Sequence, residues 1–75
     1  MKILNVIGER GPMPLCKSGA CPAAVLVASG HVYIQGYLPP AAETKELAPP
    51  AGEGFVTMPL ETFERIATQV LQQPK

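Results

Sequence analysis

The sequence predicts an α+β domain: a small, mostly antiparallel sheet of three to four strands, with one C-terminal amphipathic helix packed on one face. Three observations carry this expectation. Strand-like runs rich in β-branched residues occupy Lys2 to Ile7 and Ala23 to Leu38. The turn signal Ser29-Gly30 divides the second run into a hairpin. From Leu60 to Leu71, apolar side chains recur at helical spacing.

The first strand should end at Gly8. Gly11-Pro12-Met13-Pro14 then reads as a loop, because each proline fixes φ and removes a backbone donor. A cysteine loop follows, Cys16-Lys-Ser-Gly-Ala-Cys21, in which Gly19 permits a sharp turn. A two-residue Ser29-Gly30 turn pairs Ala28 with His31, Val27 with Val32, Leu26 with Tyr33 and Val25 with Ile34. Alternation then gathers Val25, Val27, Val32 and Ile34 on a core face. The opposite face carries Leu26, His31, Tyr33 and Gln35, continued by Tyr37.

Residues 39–54 form an Ala/Pro-rich surface crossover, in which Ala41 to Ala48 has helical composition but is too short to hold alone. A further strand is expected over Phe55 to Met58, stopped by Pro59. Pro59 suits the first position of the final helix, where its missing N–H costs nothing. The apolar stripe of that helix is Leu60, Phe63, Ile66, Ala67, Val70 and Leu71. Glu61 and Glu64 complement the positive end of its dipole, and residues 72–75 read as a frayed tail.

Composition narrows the functional classes. Seventy-five residues make one domain, 1–75, near the lower limit for a single hydrophobic core. The chain is 47% apolar but only 5% aromatic, so Val, Ile, Leu, Ala and Met must build that core. Self-association, a cross-link or a metal is the usual supplement at this size, and a homodimer is the simplest self-associated form. Six basic residues balance six acidic ones, and the basic ones are scattered. That lacks the concentrated positive footprint of nucleic-acid binding, although a dimer would bring Lys2, Arg10 and Lys17 of two copies together. No secretory leader is legible, and Pro22, Gly30, Pro39 and Pro40 interrupt the uncharged stretch from Ser18 to Ala42, against a membrane span. The expectation is a cytoplasmic protein with reduced cysteines at rest.

Three constellations bear chemistry. Cys16, Cys21 and His31 are three candidate zinc ligands, with Glu9, water or a second subunit required as the fourth. Cys16 and Cys21 alone form a candidate reversible disulfide, with Lys17 the nearby positive charge. Against both stands the small buried hydrophobe that free cysteine commonly is. The row His31, Tyr33, Gln35 and Tyr37 is a candidate interface, since tyrosine joins an apolar ring to a hydroxyl that stays wet or paired. Its bland alternative is the ordinary solvated side of a two-layer fold. No catalytic residue is assigned: no acid follows to orient His31 as a triad requires, and Gly52-Glu-Gly54 lacks a following phosphate-loop lysine.

Cys21-Pro22, Gly30, Gln35-Gly36-Tyr37, Pro50-Ala-Gly-Glu53 and Val56-Thr-Met-Pro59 together resemble a group of short bacterial proteins, many of them actinobacterial. These share a Cys-Pro step, a hairpin ending in Gln-Gly-aromatic, a Pro-x-Gly-Glu turn, a short strand and a final helix. The resemblance runs from Cys21 through the terminal helix and implies that element order. It implies no activity, since none is established for the group. This chain departs from it in a longer Ala/Pro crossover and in Val25 and Val27, where aromatic or threonine residues are common. The function expected is a small bacterial protein-interaction or regulatory module, non-enzymatic and self-associating. The alternatives are a thiol or metal switch at Cys16, Cys21 and His31, and a dimeric DNA-binding regulator.

Overall fold

The computed structural model describes residues 1–9, 11–12 and 22–73. Along the chain run β1 (Ile3–Gly8), β2 (Gly11–Pro12), β3 (Ala23–Val27), β4 (Val32–Gln35), α1 (Ala41–Leu47) and α2 (Leu60–Leu71). The class is α+β, as predicted. Strands β1, β3 and β4 form an antiparallel sheet, extended at one edge by the two-residue β2, in the order β2-β1-β3-β4. Among the described residues there are two helices rather than one. The short α1 lies in the expected crossover, has no buried residue and packs against no other described element. Its exposed position is what a seven-residue helix without a packing partner should show.

The hairpin register differs from expectation by one residue. Leu26 pairs with Val32, Val25 with Tyr33, Ala24 with Ile34 and Ala23 with Gln35. The cause is the loop. A two-residue type I′ turn needs φ > 0 at both central positions, and type II′ needs glycine at the first. Ser29 is not in the positive-φ region, and glycine stands second. The chain instead closes a three-residue loop, Ala28-Ser29-Gly30. In it Gly30 N donates to the Val27 carbonyl at 3.2 Å and Val27 N donates to the His31 carbonyl at 3.3 Å. Gly30 takes φ +88 at the third position, the place where such loops require a left-handed residue. A side chain there meets open space, so Gly30→Ala isolates the backbone cost. Urea unfolding should show a loss of about 1–2 kcal/mol with an unchanged slope. A midpoint equal to the parent's would show that the loop is not held in this conformation.

One residue of slip exchanges the faces of β4. Val32 and Ile34 share a face with Ala24 and Leu26, not with Val25 and Val27. In β1, Ile7 opposite Ala24 and Asn5 opposite Leu26 join that side, while Val6 opposite Val25 joins the other. Helix α2 packs on the Ile7/Ala24 side, correcting the predicted Val25/Val27/Val32/Ile34 surface. Phe63, Ile66, Ala67 and Val70 line an apolar groove with Ala24 and Ile34, and Asn5 Nδ2 donates to Gln73 Oε1 at 2.9 Å. The other face holds a second apolar cluster of Val6, Ala23, Val25 and Val27, all buried. Near its start β1 is bulged: Ile3 pairs with Val27 but Asn5 with Leu26, and Val6 N donates to Asn5 Oδ1 at 3.0 Å.

The expected strand over Phe55 to Met58 is a single bridge, in which Tyr37 and Thr57 exchange both backbone bonds, at 2.8 and 2.7 Å. Pro59 occupies the N-cap of α2 rather than its first helical position. At the other end, Gln72 and Gln73 of the expected frayed tail close the helix, while Pro74 and Lys75 lie outside the described residues. Gln72 N donates to the Thr68 carbonyl and Gln73 N to the Val70 carbonyl. Arg65 Nη1 donates to Glu9 Oε1 at 2.7 Å, with Glu61 3.7 Å from the same guanidinium. Arg65 is exposed, so this link between α2 and the turn after β1 contributes about 1 kcal/mol at most.

Candidate interaction surface

Helix α2 lies over β1, β2 and β3 and does not reach β4. Among the described residues, β4 is therefore the strand that no helix covers. Val32 is 50% exposed, Tyr33 56% and Ile34 43%. Burying such side chains stabilises by about 25 cal/mol per Å² of apolar area, so leaving three adjacent ones in water sets this strand apart from the solvated face of an ordinary sheet.

The hydrogen-bonding direction of each β4 residue follows from the hairpin. In an antiparallel pair, opposed residues alternate between bonded and non-bonded pairs. The Val27–His31 bond makes Val25–Tyr33 and Ala23–Gln35 bonded pairs as well. Tyr33 and Gln35 thus turn their N–H and C=O groups toward β3, and Val32 and Ile34 turn theirs to the open edge. No charged residue, proline or bulge occurs in Val32–Gln35, the devices by which edge strands usually resist pairing. At the opposite edge the described residues of β2 are Gly11–Pro12, and Pro12 has no N–H to offer.

Beside this edge, the helix stripe continues past its buried centre. Ile66 is 3% exposed, whereas Leu60, Phe63 and Leu71 are exposed. Between β4 and α2 this produces a wholly apolar groove of about 260 Å³. A second groove of about 400 Å³, lined by Ile34, Val56, Thr57, Met58, Leu60 and Phe63, adjoins it.

The predicted row is brought together in part. His31, Tyr33 and Gln35 lie on one face of the hairpin by their alternation, and His31 and Tyr33 are exposed while Gln35 is half-buried. Tyr37 follows Gly36 in the bridge to Thr57. A side chain at Gly36 would place its first carbon 2.8 Å from the Thr57 carbonyl oxygen, so glycine is required for that close approach. His31 Nδ1 is 3.2 Å from Ser29 Oγ, across the loop. Cys16 and Cys21, the candidate redox pair and zinc ligands, lie outside the described residues, as do Arg10 and Lys17. Among the described residues no cluster of three metal-ligating side chains is formed, and none of the helices is long and apolar enough to cross a membrane.

Val32, Ile34, Met58 and Phe63 were missed as surface residues. The signal was present: glycine second in Ser29-Gly30 does not fit a two-residue hairpin, and the longer loop moves Val32 and Ile34 to the helix side. No protein-family model, curated protein or solved structure matches the chain.

Proposed function

We propose that this chain is a small interaction or regulatory module, non-enzymatic and cytoplasmic, whose working surface is the β4 edge with its two flanking apolar faces. The observation that carries the reading is the coincidence of outward backbone groups at Val32 and Ile34 with uncovered Val32, Tyr33 and Ile34 side chains. An extended segment of a protein partner fits such an edge: main-chain bonds supply affinity, and alternate side chains fill the faces.

The test is selection of extended peptides from a display library on the immobilised chain. Binders should be apolar strand formers, and each should weaken at least about fivefold on Tyr33→Ala or Ile34→Ala, the usual effect of truncating an interface centre. Leu4→Ala, an exposed change on β1, should leave them unaffected. Binders indifferent to Tyr33 and Ile34 would place the working surface elsewhere and sink the reading.

A further inference from the structure

We propose that the occupant of the β4 edge is a second copy of this chain, paired antiparallel about a two-fold axis through Tyr33. The proposal rests on the reading of β4 as the interaction surface and names its partner and register. Only Val32 and Ile34 turn their backbone groups outward within β4, as the hairpin bonds establish. A two-fold axis at Tyr33 pairs Val32 of each copy with Ile34 of the other, each pair exchanging two N–H···O bonds. The neighbouring symmetric registers fail. An axis at Ile34 pairs Val32 with Gly36, which lies beyond the end of β4 and brings no side chain to the pair. An axis at Val32 pairs Ile34 with Gly30, which sits in the loop at φ +88.

The chosen register is also self-complementary in side chains. Tyr33 meets Tyr33 of the second copy as a non-hydrogen-bonded pair, with Cβ atoms about 4.5–5.5 Å apart, the closest class of cross-strand contact. His31 falls opposite Gln35, and Val32 beside Ile34 on the other face. No formally charged side chain opposes another, and the chain has net charge zero, so self-pairing meets no electrostatic barrier. The predicted row His31, Tyr33, Gln35 becomes one stripe running across the two-fold axis. The apolar groove between β4 and α2, lined by Ala24, Val32, Ile34, Phe63 and Ile66 among others, lies directly beside the pairing edge.

Sedimentation and amide hydrogen exchange test this together. The unmodified chain should be dimeric at ~100 μM, within the reach of a standard interface. Its Val32 and Ile34 amides should gain protection as concentration rises, while those of Tyr33 and Gln35, bonded to β3, stay protected throughout. Tyr33→Lys and Tyr33→Glu should each weaken dimerisation at least about tenfold, because like charges are then directly opposed. Mixed one to one, the two variants should recover a heterodimer.

A chain that stays monomeric overturns the proposal while leaving the peptide test of the surface standing. Charged variants that remain dimeric, or that fail to recombine, overturn the Tyr33 axis. Should either variant fail to fold, the exchange pattern of the unmodified chain decides: concentration-independent exchange at Val32 and Ile34 overturns the pairing.

Discussion

Ile66→Asp is expected to abolish the cooperative unfolding transition of this chain at neutral pH. Ile66 is the one buried residue of α2, 3% exposed, and the described groove around it is apolar. A carboxylate there loses its water and gains no described partner, at a cost of several kcal/mol. A 75-residue domain has about 4–11 kcal/mol of total stability at the usual 0.05–0.15 per residue, so the substitution removes most or all of it. The pH dependence has a definite sign. Burial raises the folded-state pKa of the new aspartate above its unfolded value near ~3.9. The neutral form is tolerated below that value, and the penalty grows as pH rises through the folded-state pKa. Circular dichroism melts should therefore show partial recovery on acidification toward about pH 4. A cooperative transition at pH 7 with the parent's midpoint would show that Ile66 does not face the sheet.

The elements whose periodicity is long were legible from sequence. The stripe from Leu60 to Leu71 spans three turns and can be satisfied only by a helix with Ile66 at its centre. Likewise, two strand-like runs on either side of the Ser29-Gly30 turn signal point to a hairpin, and β3 and β4 form one. What was not legible depends on single residues. The position of glycine in the Ser29-Gly30 pair decides the loop length, and loop length decides which face of β4 meets the helix. The error was therefore in the partner of each side chain and not in the element. Phe55 to Met58 has strand composition, but strand formation needs a neighbour, and among the described residues only Thr57 finds one, at Tyr37. Ala41 to Leu47 shows the reverse, a helix formed from local propensity with no described element against it. For the candidate surface, the row His31, Tyr33 and Gln35 was legible because it needs only alternation. The open edge was not, since it depends on where α2 stops covering the sheet.

That coverage makes Ile7 the most consequential small truncation. Ile7 is fully buried, the largest such side chain among the described residues, and lies between Pro12 on one side and Ala24 on the other in the middle of the sheet. Its face is the one under α2. Ala24, its neighbour, is too small to move into the space that Ile7→Ala would leave, so transfer and cavity costs add to about 2–5 kcal/mol. Against a total of about 4–11 kcal/mol, such a loss leaves a marginal domain. Ile7→Val, which removes one methylene, should cost about 0.5–1.5 kcal/mol. Leu4→Ala, exposed at the bulge of β1, should stay within about 0.5 kcal/mol of the parent. Urea titrations at one fixed low protein concentration keep self-association from contributing to the differences. A shared slope would show that only stability has changed. The ordering Ile7→Ala, Ile7→Val, Leu4→Ala is the expected result. If Leu4→Ala costs as much as Ile7→Ala, Ile7 is not at the centre of the core beneath α2.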